Sequence, residues 1–337
     1  MAFSSIAKDM NKELIINTMR SFVSYTKQDI AKETGLSFPT VSKMIDEMAE
    51  RNIINIIEEK KSQTGGRRAQ VYQLNQFYAY SLCLFLEEKR LYAKIVDLKG
   101  VEFQSIEKAI INAVTFPLIE EFIRECMAEC EKIQSIAIGV PGAVHEGKIF
   151  LIDGFEEMQG CELEKKLRNC FHMPTCVINN MSAVAFAISK NEKDNIACFH
   201  LGEKGPGCSC VVNGAPISGF CGFQGELGFI PFYGQKTSRD LFMKEPQKID
   251  MTEFVGKMLI SIITIVNPKR ITLYLPEDEW KLDFKKYCSR FIPVEVLPEF
   301  IFSDSYDKDY MEGVKMTGVS LIFHTMNRLS SDRGSDK

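Results

Sequence analysis

The chain has 337 residues, 45% of them hydrophobic and 26% charged, with a formal net charge of −4. That length exceeds what one hydrophobic core usually fills, so two or three domains are expected, and the composition excludes a disordered or fibrous chain. The acidic balance excludes a protein that is basic all over, but leaves room for a small basic module.

No stretch reaches the ~18 to 20 consecutive apolar residues that a membrane helix needs. Met1 to Leu14 lacks a basic-then-apolar leader pattern, so a cytoplasmic protein with no membrane partner is expected. The eleven cysteines are odd in number and scattered from Cys83 to Cys288, which predicts reduced thiols. Cys126/Cys130 and Cys208/Cys210/Cys221 contain no CxxC pair, and His145, His172, His200 and His324 lie far apart, so neither a metal site nor another cofactor is expected.

Residues 1–75 predict a compact first domain. Ile15, Met19 and Phe22 share one helical face within residues 11–22. Thr26 followed by Asp29 is a capping-box start, and Gly35 fits a left-handed stop. Ser37 then caps a third helix whose inward stripe is Val41, Ile45 and Met48. Ile53 to Glu58 and Ala69 to Leu74 read as strands around the loop 60–68, and the whole order is that of a winged helix-turn-helix.

Charge placement favours DNA as the partner. Residues 1–75 carry 11 Lys+Arg against 9 Asp+Glu, whereas residues 76–337 carry 30 against 36. The third helix begins with Ser37, Pro39, Thr40, Ser42 and Lys43, and its acidic residues come only later; the first turns of such a helix enter the major groove. The loop tip sets four cations, Lys60, Lys61, Arg67 and Arg68, around Gly65 and Gly66, whose bare backbone can press close to phosphates or a minor groove.

Beyond residue 75, strand-like runs at 80–85 and 91–96 suggest a β-meander, and a helix is expected over 117–133. Further strands are expected at 135–140, 176–178, 196–201, 208–212 and 271–275, and helices at 182–188, 252–266 and 313–329. Strands alternating with helices in two successive sets predict a two-lobed α/β body with a cleft. The expected division is lobe 1 over 76–190, joined again by the helix 313–329, lobe 2 over 191–312, and a polar tail over 330–337.

Four stretches in this order carry a family resemblance: Thr64–Arg68 leading to Tyr72–Asn75, Gly139-Val140-Pro141-Gly142, Gly219–Gly228, and Ile265–Leu273. Together they resemble the ROK family of repressors and sugar kinases, and within it the regulators with a winged helix-turn-helix ahead of a kinase-like body. The resemblance implies an actin-like (ribonuclease H-like) fold. It also implies a ligand site drawing on Gly139, Gly142, Asn179, Asn180 and Glu226.

The chain departs from the kinases of that family at each catalytic part. The phosphate loop after the first strand of the body is Phe85-Leu86-Glu87-Glu88-Lys89, without glycine. A second phosphate loop reads Glu203-Lys204-Gly205-Pro206-Gly207, where Glu203 would repel a triphosphate. Asn180 stands where the kinases carry the aspartate base, and an amide accepts no proton at neutral pH. The histidine and zinc cysteines expected after Gly228 are missing.

The expected function is therefore a DNA-binding transcriptional repressor, not an enzyme, acting on a double-stranded operator as a homodimer or higher homo-oligomer. Its body would sense a sugar or sugar phosphate. An active kinase with a regulatory arm, and a regulator controlled by a protein partner, are the alternatives.

Overall fold

The computed structural model describes residues 2–60, 69–87, 90–109, 113–152, 155–190, 192–232, 234, 236–279 and 281–328. The head consists of α1 (Ala2–Met19), β1 (Tyr25–Thr26), α2 (Lys27–Thr34), α3 (Phe38–Glu50), β2 (Ile54–Lys60) and β3 (Ala69–Leu74), with sheet order β1-β3-β2. Thr26 and Asp29 form the reciprocal capping box, and Gly35 ends α2 at φ 70°. Val41, Met44, Ile45 and Met48 are the buried stripe of α3.

The first helix departs from expectation. It ends at Met19, and Phe22 sits outside it at φ 55°, its carbonyl accepting from the Gln73 side chain. The periodic pattern placed Phe22 against the core correctly, but a left-handed turn, not a helix, delivers it there.

Lobe 1 contains β4 (Tyr80–Glu87), β5 (Arg90–Val96), β6 (Glu102–Ala109), α4 (Phe116–Glu129), β7 (Ile133–Val140), β8 (Val144–His145), β9 (Lys148–Ile149), α5 (Leu163–Phe171), β10 (Thr175–Asn179) and α6 (Asn180–Ile188). Its sheet runs β10-β7-β4-β5-β6, an antiparallel meander of β4, β5 and β6 with β7 and β10 parallel to β4. Strand alternation divides the core. Leu82, Leu84, Ile136 and Ile138 face Ile119 and Phe122 of α4 and Leu163 and Leu167 of α5, whereas Cys83, Phe85 and Ala137 face the opposite side.

Lobe 2 repeats the plan with β11 (Ile196–Gly202), β12 (Gly205–Val212), β13 (Ala215–Pro216), α7 (Ser238–Lys244), α8 (Met251–Val266), β14 (Arg270–Tyr274), α9 (Phe284–Cys288) and β15 (Glu299–Phe302). Its sheet order is β13-β12-β11-β14-β15. Phe254, Met258, Leu259 and Ile262 of α8 cover one face, against Ala197, Phe199, Ile271 and Leu273. Ile196, Cys198 and Val211 cover the other with α6, which packs on β11 and β12 and so lies between the lobes.

The last helix, α10 (Tyr306–Arg328), ties the molecule together. It begins seven residues before the position expected from sequence, because Gly313 is a crossing point inside it: a Cβ there would collide with the Ala183 backbone of α6. Gly318 does the same against Ser81 of β4, where the Ser135 hydroxyl lies 2.8 Å from the Gly318 carbonyl. The far half of α10 receives the head. Ile15, Ile16 and Met19 share a buried cluster with Val319, Ile322 and Phe323, and the Arg20 guanidinium lies 4.4 Å over the Phe323 ring.

Candidate nucleic-acid interface and interlobe site

The start of α3 is exposed on the head at Ser37, Phe38 and Pro39. Ser37 caps it, accepting from the Thr40 N–H at 3.4 Å, and the two hydroxyls lie 2.8 Å apart. Ser42 accepts a hydrogen bond from Lys27 at 3.0 Å, and Lys27 is paired with Asp46 at 2.6 Å. Ser37, Pro39 and Lys43 are exposed, while Thr40 and Ser42 are half-buried. The sequence reading passed over Phe38, 53% exposed in the first turn. Lys60 ends β2; Lys61, Gly65, Gly66, Arg67 and Arg68 lie outside the described residues.

Between the lobes, β7 and β10 end side by side. Asn179 caps α6, accepting from the Ser182 N–H at 2.9 Å and donating to the Gly142 carbonyl at 2.7 Å. Gly142 adopts φ 127° and leaves no room for a Cβ against Leu151, so the turn after β7 requires glycine. The Asn180 amide donates to the Tyr306 hydroxyl at 2.9 Å, while its oxygen accepts from the Met181 N–H at 2.9 Å. The residue in the base position is thus a hydrogen-bond strut to α10.

Aromatic rings from α10 fill the space beside it. The Tyr306 ring stacks on His200, centroids 3.7 Å apart and planes 11° from parallel. Tyr274 meets the edge of Tyr306, and its hydroxyl donates to Asp309 at 2.6 Å. Tyr310 packs edge-on against Phe85 at 5.5 Å and covers Gly139, whose missing Cβ makes room for that ring. Burial away from water pushes the His200 imidazole down to about 4, so it is neutral near pH 7, and pushes the Tyr274 hydroxyl up. The Glu203–Lys204 turn joins β11 and β12, with Gly202 opposite Gly205. Pro206 in that segment lacks the N–H that a phosphate cradle would use. Among the described residues, no three His, Cys, Asp or Glu side chains converge to hold a metal ion.

On the other side of Asn179 the cleft stays open. A cavity of about 280 Å³ is lined by β8, the end of β10, α6 and the 216–224 loop. Its polar groups are Glu146, Asn179, Ser182, Ser218 and Gln224, and its apolar wall includes Ile178, Phe186 and Ile217. Gln224 Nε2 lies 3.5 Å from Ser182 Oγ, and Gln224 Oε1 is buried without a hydrogen-bond partner. Gly222, at φ 72°, lets the loop press onto the Val144 carbonyl.

Of the five ligand residues expected from sequence, Gly142, Asn179 and Asn180 meet at one corner, but only Asn179 lines this cavity. Gly139 lies under Tyr310. Glu226 precedes the short turn Leu227–Phe229; the Cys208 thiol, raised chiefly by its contact with Cys210 and by burial, also feels the charge of Glu226. Gln224 belongs to the Gly219–Gly228 stretch and Ser182 opens the expected helix 182–188, and neither carries a ligand signal of its own. Tyr306 and His200 carried no local signal.

Comparison with known proteins places this geometry. Residues 97–244 match the model of the ROK family. The chain is 23% identical over 242 residues to the xylose repressor of Caldicellulosiruptor bescii, covering 68% of this chain and 60% of that protein. It is 24% identical over 244 residues to the DNA-binding transcriptional dual regulator NagC of Escherichia coli K12, covering 67% and 58%. The aligned part thus spans about three fifths of the curated relatives' own lengths. A solved ROK family transcriptional regulator, a homologue of the E. coli MLC protein, superposes with a TM-score of 0.75 over 96% of this chain and 99% of its own, at 17% identity. A ROK family glucokinase from Streptomyces griseus, solved with glucose and AMPPNP, covers 72% of this chain at TM-score 0.56 and 15% identity.

Proposed function

We propose, from the ROK family domain that this chain carries, that it is a DNA-binding transcriptional repressor whose kinase-like body performs no phosphoryl transfer. Residues 1–75 form its DNA-binding head, and the body serves as effector sensor and dimerisation module in the cytoplasm. The observation that carries this reading is the filled half of the cleft. Tyr310 packs against Phe85, where the first degenerate loop begins, Tyr306 stacks on His200, three residues before the second, and the amide of Asn180 is spent on Tyr306. Phosphoryl transfer needs held phosphates, a metal and a positioned base together, and a first loop without glycine, Glu203 in the second and an amide at Asn180 do not offer that set.

The open cavity supports a small polar effector, a sugar or sugar phosphate. About 280 Å³ is at the small end of ligand pockets, and hydrogen-bonding groups alternating with apolar wall suit a ring with hydroxyls on its edge and C–H on its faces. Binding there would favour one lobe arrangement, which α10 would transmit to the heads. A second reading, control by a protein partner, draws on Phe220, 96% exposed, with Phe223 and Phe229 beside the cavity. A thermal-shift screen with sugars and sugar phosphates separates the two.

The test of the main reading has two arms. Full-length protein should select specific duplexes from a random library, with half-sites separated by whole helical turns. An assay coupling ADP release to a panel of hexoses and amino sugars with Mg²⁺ should show no turnover, for wild type and for Asn180→Asp. Turnover near ~1 s⁻¹, the low end for kinases, would replace the repressor reading with the kinase one.

A further inference from the structure

The tip of α3 has an unusual chemistry for a helix that faces a polyanion. Of its first backbone donors, Pro39 has none, the Thr40 N–H is taken by the Ser37 side chain, and the Val41 N–H is taken by the Ser37 carbonyl. The hydroxyls of Ser37 and Thr40 are turned toward each other, and Ser42 is held by Lys27. Much of the hydrogen-bonding capacity of Ser37, Thr40 and Ser42 is therefore spent inside the head. What stands outward in the first turn, ahead of the exposed Lys43, includes two apolar rings: that of Phe38, 53% exposed, and that of Pro39.

An exposed phenyl ring at this place contributes nothing to the core, which Val41, Met44, Ile45 and Met48 fill from the same helix. It is placed where the first residues of a recognition helix meet base edges. In the major groove the one apolar group on a base edge is the thymine 5-methyl, and phenylalanine is among the side chains that pack on it. We infer that Phe38 is a specificity-determining residue that reads a thymine methyl in each operator half-site, and that the tip of α3 selects by apolar contact more than by hydrogen bonds. This rests on the DNA-binding reading above and deepens it.

The test removes the methyl from the DNA as well as the ring from the protein. A duplex selected by the full-length protein is resynthesised with deoxyuridine at one thymine position at a time, in both half-sites, and titrated by fluorescence anisotropy with wild type, Phe38→Ala and Phe38→Leu. The expected result is a single thymine position per half-site at which deoxyuridine weakens wild type by about fourfold per half-site, the value of one buried methyl group. Phe38→Ala should show no loss at that position, and Phe38→Leu a partial one. The inference is overturned if no deoxyuridine weakens wild-type binding, or if Phe38→Ala keeps the same penalty. A Phe38→Ala protein that binds no duplex leaves the decision to wild type and Phe38→Leu. Failure of the selection itself, with no sequence enriched, would instead count against sequence-specific DNA binding, so the two failures are distinct.

Discussion

The two halves of the cleft, separated by Asn179 and Asn180, have opposite contents. On one side Tyr306, Tyr310, His200 and Phe85 pack into a continuous aromatic block that joins the lobes. On the other, Asn179, Ser182, Ser218 and Gln224 surround an open cavity. The first half is packed as a protein interior, and the second is an open cavity with polar groups on its wall. On the proposed reading, core side chains stand where one reacting partner would sit, and the open pocket is left to bias a conformational equilibrium.

The largest effect should come from emptying the filled half. Tyr310 is buried between Phe85 and Gly139, so Tyr310→Ala should cost about 3–5 kcal/mol in urea unfolding, as for other large aromatic truncations. The vacated space should still bind no nucleotide, because the loops on either side supply no cradle. Saturable binding of AMPPNP to this variant by calorimetry would break the comparison, since the aromatic block would then be a reversible cover over a working site.

The same block predicts a pH dependence. His200 is neutral in the folded protein, pushed down to about 4 by burial, against an ordinary value of 6.5. The unfolded chain therefore binds the extra proton first as pH falls. The stability contributed by the neutral ring is fully present above about pH 6.5 and is lost progressively between there and about pH 4. At 1.36 kcal/mol for each pH unit of the displacement, the loss approaches about 3 kcal/mol. Denaturation midpoints at pH 7.5, 6 and 5 should fall accordingly, and His200→Phe, which keeps a ring against Tyr306, should flatten this part of the profile. An unchanged profile in that variant would assign the acid sensitivity to other groups.

How much of this was legible in the sequence depends on the range of the interaction. Caps and turns are local, so Thr26 with Asp29, Gly35 and Ser37 were readable from three or four residues, and so was the winged order of the head. The short elements were not. In α5 only Leu163 and Leu167 are buried, too few to register a helical period, and β15 is a four-residue edge strand. Gly313 read as a boundary because the reason for it, the backbone of Ala183, lies 130 residues away in the chain. The degenerate kinase motifs were visible as missing residues, but what replaced them was not. Tyr306 meets Asn180 across 126 positions, a pairing that no local pattern encodes.

A smaller effect probes the boundary between the halves. Asn179→Ala removes the cap of α6 and the bond to the Gly142 carbonyl, and should cost about 1–2 kcal/mol in thermal unfolding. Because Asn179 also lines the cavity, the same variant should lose any thermal shift given by an effector. Retention of the full shift would move the effector site away from this wall.

The smallest expected change in stability is the most informative about the open half. Gln224 Oε1 is buried without a partner, and its amide nitrogen reaches Ser182 only at 3.5 Å. With no protein partner for its oxygen and so long a bond from its nitrogen, the amide adds little to the stability of the folded state. Gln224→Leu, of nearly the same shape, should therefore leave stability unchanged or raise it by up to about 1 kcal/mol. A side-chain amide on a cavity wall with so little hydrogen bonding to the protein is one expected to meet its partner in the bound state. The variant should accordingly fold at least as well as wild type, bind operator DNA with wild-type affinity, and lose the change in DNA affinity produced by the effector. Destabilisation beyond about 2 kcal/mol would make Gln224 a structural residue of the loop, and the cavity would lose its strongest claim to a ligand.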